Sequence, residues 1–175
     1  MMYTTPTKGE DGLYFVKVLR DDKRKHLIQL NKVKITDVSG EIAMDLASEM
    51  NTQKISTIDT ANLDAALENC ESWFGKKVSE GVIKGAYKSS LDTDVLTCDR
   101  LDVTRVFNSQ QELVDFDAVQ PEKTCDVILE FAGIWFAKKA FGPTWNVVQV
   151  KVHDDPEPIL DTYPDEYAFV DEDDQ

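Results

Sequence analysis

The sequence predicts a mainly β protein, in which an antiparallel barrel or sandwich carries a helical insert and an acidic C-terminal arm. Three observations predict this α+β arrangement. Alternating apolar segments occupy the first and last thirds of the 175 residues, and a helix-like segment separates them. Strands and helices are therefore segregated, so we expect no parallel sheet built from βαβ units. Finally, the last 22 residues carry ten Asp or Glu and no Lys or Arg.

The first third predicts three strands. An apolar, β-rich run spans residues 12–19, and a polar turn follows it. Residues 26–38 alternate between apolar and polar side chains, except at Asn31 and Lys32, where the period of two is broken. Because an extra residue in a long strand produces a β-bulge, we expect a bulge there. Residues 41–47 predict a third strand, although their Ala, Met and Leu also favour a helix.

The middle of the chain predicts helices. Asp59 or Thr60 is a suitable N-cap for a helix through residues 61–74, and Gly75 is suited to end it. A second helix is expected over 79–88. The apolar face of the first helix has spacings of three and four residues, and we expect it to pack across one end of the barrel. This face consists of Leu63, Ala66, Leu67, Cys70, Trp73 and Phe74.

The last third predicts three more strands. Residues 95–107 alternate with one register shift, and residues 124–152 predict two long strands around a turn at 138–143. Three strands, a helical insert and three further strands form the layout of a small OB-like barrel. A two-sheet sandwich is the alternative architecture.

Charge separates a domain from a tail. The formal net charge of the chain is −14, of which residues 154–175 contribute −10 and residues 1–153 only −4. An acid-rich segment that contains Pro buries little apolar surface, and is typical of an interaction tail or of a solvated terminus. The predicted boundaries are 1–153 for the barrel domain, with its helical insert at about 59–88, and 154–175 for the acidic tail.

Composition excludes several functional classes. The three cysteines are isolated and odd in number, and only two histidines accompany them, which argues against a zinc site or a disulfide framework and favours a reducing compartment. The N-terminal sequence lacks a signal-peptide pattern, and no apolar run approaches the length of a membrane span. Phosphate-loop, dinucleotide, nucleophile-elbow and His-Glu-x-x-His motifs are missing from the sequence. We therefore expect no catalytic residue, metal, cofactor or membrane association.

The most specific pattern lies in residues 128–152. It reads Phe-x-Gly-Ile-Trp-Phe, a basic turn, Phe-Gly-x-x-Trp and then Val-Val-Gln-Val-Lys. This pattern resembles the C-terminal strands of a protein family from large DNA viruses of algae and protists. Members of that family are similar to phage single-stranded DNA-binding proteins, which have an OB barrel and an acidic tail. The resemblance implies single-stranded DNA binding in replication or recombination, with the hairpin beside the binding groove at Trp135, Phe136, Lys138, Lys139, Phe141, Trp145 and Lys151.

Single-strand binding requires cations for the phosphates and exposed aromatic faces for the bases. Because side chains alternate along a strand, Trp135 and Phe136 point to opposite faces, and one of them must belong to the core. Since the domain is slightly acidic, the binding groove must be a local patch. Further candidate cations lie on the predicted strands and turns of the first third: Lys17, Arg20, Lys23, Arg24, Lys25, Lys32 and Lys34.

The tail is the predicted partner-binding segment. It is expected either to compete with nucleic acid for the cationic groove or to dock a replication protein or a second copy. The tail of the phage proteins ends in an aromatic residue, whereas this chain ends in Asp-Asp-Gln. A viral structural protein, packaged or acting in assembly with capsid proteins, is the alternative function; the predicted location is the host nucleus or cytoplasm, or the virion. The candidate partner-binding residues are Tyr163, Tyr167, Phe169, Asp171, Glu172, Asp173 and Asp174.

Overall fold

Ten strands and three α-helices form the regular structure of residues 1–155, 163 and 165–170, which the computed structural model of the protein describes. The strands are β1 (Met2–Tyr3), β2 (Thr7–Lys8), β3 (Tyr14–Leu19), β4 (Leu27–Asp37), β5 (Ile42–Asp45), β6 (Leu91–Asp92), β7 (Val95–Phe107), β8 (Leu113–Val114), β9 (Thr124–Phe136) and β10 (Phe141–Val152). The helices are α1 (Glu49–Glu68), α2 (Cys70–Phe74) and α3 (Glu80–Ala86), and a 3-10 turn covers Phe116–Ala118.

Five strands close into a barrel. They pair in the order β4, β5, β7, β10 and β9, and β9 pairs back to β4. All of these pairs are antiparallel except β7 with β10. The closed ring confirms the predicted OB-like barrel. The helical insert follows the second strand of the ring, between β5 and β7, because β3 lies outside the ring.

The hairpin of β9 and β10 is longer than the barrel. The first half of β9 pairs with β4, from Thr124 to Glu130, and its last four residues pair with β3. The hairpin therefore extends past the ring as a three-stranded sheet, with the turn 137–140 at its tip. The two predicted strands of residues 124–152 are confirmed, but the turn between them is shorter than the predicted 138–143, because β10 already begins at Phe141.

The predicted bulge in β4 is confirmed. The register with β9 shifts between Leu30 and Val33, and Lys32 has a positive φ of 56°. The backbone N–H of Lys32 donates to Asp126 Oδ1 at 2.9 Å, and Asn51 Nδ2 donates to the carbonyl oxygen of Asn31 at 2.8 Å. The bulge is thus held from both β9 and α1.

The helical insert begins at Glu49, about ten residues before its predicted start at 59, and Asn69 divides the predicted helix 61–74 between α1 and α2. Ser48 is the N-cap of α1, and its hydroxyl accepts from the N–H of Asn51 at 3.2 Å. Asn51 and Asn62 are buried on the inner face of α1, so polar residues occupy positions where the sequence pattern required apolar ones. Gly75, with φ of 74°, ends α2 as predicted, and the predicted second helix is confirmed as α3 with Ser79 as N-cap.

A partly buried polar network joins the insert to the barrel. The carboxylate of Asp59 accepts from the hydroxyls of Tyr87 at 2.6 Å and Ser90 at 2.7 Å, and Ser90 Oγ accepts from the indole Nε1 of Trp145 at 2.9 Å. Burial, together with the negative charge of Asp59, raises the pKa of Tyr87, so this hydroxyl stays a neutral donor. Asn62 donates to the same hydroxyl at 2.9 Å. Trp145 of β10 is therefore tied to α1.

The three cysteines are free thiols. Cys98 and Cys125 are buried in the barrel, and burial raises the pKa of both, to about 12 at Cys125. Within the described residues, no group of three or more His, Cys, Asp or Glu is placed to hold a metal ion. The described helices are all too short or too polar to cross a membrane.

Candidate nucleic-acid interface

Side chains alternate along β3, β9 and β10, so the extended hairpin has one face toward the core and one face toward solvent. We call the solvent-facing side the outer face. Phe15 of β3 pairs directly with Trp135 of β9, and Trp135 pairs with Gly142 of β10. In the next row, Lys17 pairs with Gly133. These residues all belong to the outer face. The core face carries Val16, Ile134, Phe136, Phe141 and Trp145, which are all buried.

The rings of Phe15 and Trp135 lie over glycine backbone. A Cβ placed on Gly133 would come within 2.7 Å of Cζ of Phe15, and a Cβ on Gly142 within 3.0 Å of Cζ2 of Trp135. Both aromatic residues are partly exposed, and among the described residues neither belongs to the set that packs against the core. We call Phe15 and Trp135 the aromatic platform. An aromatic ring with an accessible face is what base stacking requires.

Two lysines flank the aromatic platform. Lys17 and Lys88 are exposed, and neither forms an ion pair with any residue that the structure describes. Lys88 is placed by its backbone, because its N–H donates to the carbonyl oxygen of Phe141 at 2.8 Å. A Cβ added to Gly142 would lie 3.1 Å from the Cβ of Lys88 and 3.0 Å from Cζ2 of Trp135, so the side chain of Lys88 begins beside Trp135. Both ammonium groups are thus available to phosphates.

The outer face continues along β10 to the other end of the barrel. Lys151 pairs there with Phe107 of β7, which is half-buried. Nine residues separate Gly142 from Lys151, which corresponds to about 30 Å of strand. Glu130 lies between the two ends, where it accepts from Asn146 Nδ2 at 3.1 Å and pairs with Lys25 at 3.7 Å. This carboxylate is therefore partly compensated within the protein.

Three of the four aromatic residues predicted for the site lie in the core. Phe136 and Phe141 stack on each other with centroids 5.6 Å apart, and Trp145 packs on Phe131 at 5.2 Å. Their ring faces are occupied by other core residues. Of the four, only Trp135 lies on the outer face, and the interface proposed below is built without the other three.

The predicted cations are spread over several surfaces. Lys17 and Lys151 lie on the outer face, and Lys138 and Lys139 lie in the exposed hairpin turn. Lys23 sits in the turn after β3, and Lys32 in the bulge of β4. The remaining four are paired with acids: Arg20 and Arg24 with Asp22 at 3.1 and 4.0 Å, Lys25 with Glu130, and Lys34 with Glu122 at 2.8 Å, a hydrogen bond that raises the pKa of Lys34.

Sequence reasoning missed Phe15 and Lys88. A signal existed for Phe15, because alternation along β3 places it on the same face as Lys17. Lys88 has no such signal, since it follows α3 and reaches the outer face only through its backbone bond to β10.

The second and third strands of the ring, β5 and β7, form the face that OB barrels often use for oligonucleotides. Here that face carries Asp45, Thr97 and Asp99 on its solvent side, with Ala43 beside them. Its carboxylates would repel a polyanion. Asp99 also borders the middle of the outer face, because it pairs with Asn146 of β10. The end of the outer face that carries the aromatic platform, with Lys17 and Lys88 beside it, is therefore the better candidate for nucleic acid.

Comparisons with known proteins show a family and a fold. A family model described as "Family of unknown function (DUF5871)" matches residues 31–171. Among curated proteins, none matches the sequence. Three solved structures of the single-stranded DNA-binding protein from bacteriophage Enc34 have a similar fold. The intact protein is 13% identical with a TM-score of 0.52, and the similarity covers 94% of this chain and 97% of the phage chain.

The other two structures are similar to the same degree. The C-terminal truncation is 12% identical with a TM-score of 0.52, over 88% of this chain and 96% of the phage chain. The complex with single-stranded DNA is 12% identical with a TM-score of 0.50, over 89% and 98%. At identities this low, the likeness shows the fold alone.

Proposed function

The chain belongs to the DUF5871 family of unknown function, and we propose that it binds single-stranded DNA on the outer face of its long hairpin, without catalysing a reaction. The observation that carries this proposal is the aromatic platform of Phe15 and Trp135, flanked by Lys17 and Lys88. The shared fold supports it, because the phage protein of similar fold is a single-stranded DNA-binding protein with a structure in complex with single-stranded DNA.

The proposed binding combines stacking with phosphate contacts. Bases stack on Phe15 and Trp135, while Lys17 and Lys88 contact the neighbouring phosphates. The DNA strand then follows β10 toward Phe107 and Lys151, where an aromatic ring again lies beside a lysine. Every base has a π-face, so this mode of binding tolerates any sequence. Such binding suits a protein that covers single strands during replication or recombination.

We propose that the acidic tail opposes this binding. The tail starts beside Phe107 and Lys151, because Asp154 accepts from Ser109 Oγ at 2.8 Å and Asp155 pairs with Lys123 at 2.9 Å. A tethered segment reaches an effective concentration in the millimolar range, so weak contacts with the outer face are enough to compete. Asp171, Glu172, Asp173 and Asp174 lie outside the described residues, and their part in this role, or in docking a replication protein, stays a prediction.

Both proposals are tested by measuring oligo-dT affinity at rising salt concentration. The measurement compares the full-length protein with a protein that ends at Asp155. For each protein we expect log K to fall linearly with log salt, with a slope near −0.7 per phosphate contacted. At low salt the shortened protein should bind more tightly, since it has lost eight of the ten tail acids. The difference should fade as salt rises, because the exposed acids are screened over roughly 8–10 Å.

The appropriate control is a full-length protein in which the eight acids after Asp155 are replaced by their amides. It should behave like the shortened protein, because charge rather than chain length opposes binding. Absence of binding at low salt by all three proteins would contradict the function. Equal affinities would contradict only the opposition by the tail.

A further inference from the structure

A groove of about 880 Å³ lies at the tip of the hairpin, on the side opposite the aromatic platform. The turn 137–140 forms one wall, α2 and α3 form another, and residues 5–14 close the third. We call it the tip groove. Its floor contains Phe74, Phe136 and Phe141, packed edge to face or stacked. The floor is therefore apolar.

The charge of the tip groove is opposite to that of the chain. The described residues that line it include Lys76, Lys138 and Lys139 but no Asp or Glu, although the chain has 33 acids and 19 Lys or Arg. Its mouth also exposes aliphatic side chains, with Leu13 at 41% and Val82 at 60% exposure. Aliphatic groups offer little to a nucleotide, but they bury the apolar side chains of a peptide. The groove is therefore suited to an acidic peptide with apolar anchors.

The tail has this chemistry. Tyr163, Tyr167 and Phe169 lie among acidic residues, and their side chains are 95%, 81% and 80% exposed. Large exposed aromatic residues within a charged segment are typical anchors for an interface. Their apolar rings match the floor of the groove, and the acids beside them match its three lysines.

The tail and the tip groove of one chain lie at opposite ends of the hairpin. The N–H of His153 donates to the carbonyl oxygen of Thr124 at 2.9 Å, so the tail starts where β9 begins. The groove lies where β9 ends, about 40 Å further along the strand at 3.3 Å per residue. Eight residues from Asp155 to Tyr163 span at most about 28 Å, and fourteen to Phe169 at most about 50 Å. Tyr163 therefore cannot reach its own groove, and Phe169 reaches it only from a nearly straight tail.

We propose that the tip groove binds the tail of a second copy, through Tyr163, Tyr167 and Phe169. Reciprocal exchange of tails closes a dimer with two identical contacts. This contact is separate from the outer face, so it leaves the aromatic platform open to nucleic acid.

Val82→Glu tests this proposal in the full-length protein. Position 82 is the third residue of α3, where its N–H already bonds to the cap Ser79, so a glutamate there completes a capping box and preserves the helix. In the groove, however, it would repel the tail. We expect sedimentation at low salt to show a dimer for the natural protein and a self-association at least about tenfold weaker for Val82→Glu. Oligo-dT affinity should be unchanged at a salt concentration at which the tail no longer opposes binding, which separates this inference from the proposed function.

Three comparisons complete the test. Val103→Glu is the matched control, because Val103 is 62% exposed and lies on β7, outside the groove. The pair Lys138→Glu and Lys139→Glu in the turn should weaken self-association like Val82→Glu. Tyr167→Ser with Phe169→Ser should do the same from the tail side. Mixing this tail variant with Val82→Glu should restore a dimer, because one intact groove then meets one intact tail.

Two results would overturn the proposal. One is a natural protein that stays monomeric at every concentration, which would also be the outcome if the tail bound its own groove. The other is a Val82→Glu protein that associates as strongly as Val103→Glu.

Discussion

Replacing Trp135 by Ala is expected to weaken oligo-dT binding by about 5- to 150-fold, and replacing Phe15 by Ala by a similar factor. Each substitution removes one ring of the aromatic platform, and stacking of one base on an aromatic side chain is worth about 1–3 kcal/mol. Both rings lie outside the core, so folding should be retained. Fluorescence anisotropy of labelled oligo-dT at low salt measures the affinity, and the melting temperature checks the fold.

Tyr14→Ala is the matched control. Tyr14 neighbours Phe15 in the chain, but alternation places it on the opposite face of β3, where it is 50% exposed and lines the tip groove. Its loss should leave oligo-dT affinity within about twofold. An equal loss of affinity for Tyr14→Ala and Phe15→Ala would show that the DNA does not distinguish the two faces.

Gly133→Ala is expected to lower the free energy of unfolding by about 3 kcal/mol or more. Gly133 has φ of 153°, and a Cβ there would overlap the carbonyl oxygen of Val16 in β3 and press on the ring of Phe15. The pairing of β3 with β9 would have to open, which also displaces half of the aromatic platform. Chemical denaturation measures the loss of stability, and oligo-dT affinity should fall with it.

Gly81→Ala is the control that shows whether the loss of stability is specific to position 133. Gly81 lies in α3, and a Cβ there meets no atom of the described residues within 4 Å. Because Ala favours a helix over Gly, this substitution should raise the free energy of unfolding by up to about 1 kcal/mol. A Gly133→Ala protein as stable as the natural one would show that β3 does not pack on β9 as described.

Local rules predicted most of the barrel. Period-two alternation located β4, β7 and β9 to within about two residues and β10 to within three, and the broken period at Asn31 and Lys32 located the bulge. Glycine and serine located the ends of the helices at Gly75 and Ser79. Each of these features depends on neighbours in the sequence, which is why a single sequence shows them.

The same rules did not predict features that depend on contacts between residues far apart in the sequence. The start of α1 was missed because Asn51 and Asn62 bury polar side chains that are satisfied by distant partners, Asn31 and Tyr87. The position of β3 outside the ring depends on which half of β9 it pairs with, and no pattern in β3 encodes that choice. Strand pairing across more than a hundred residues becomes visible only in the fold.

The interface that we propose uses part of the predicted set of residues. The motif pointed to the hairpin, but alternation left open whether Trp135 or Phe136 is exposed, and the structure places Trp135 on the solvent side. Lys88 joins the outer face through one backbone hydrogen bond to Phe141. Charge counting also misled, since Arg20, Arg24, Lys25 and Lys34 are paired with acids within the domain.

Tryptophan fluorescence during titration with oligo-dT tests the outer-face interface most directly. Trp73 and Trp145 are buried, so Trp135 is the one of the three tryptophans that can stack on a base. We expect oligo-dT to quench the natural protein and to leave Trp135→Phe nearly unquenched, although this variant keeps a ring and still binds by anisotropy. Quenching that persists undiminished in Trp135→Phe would contradict binding on the outer face.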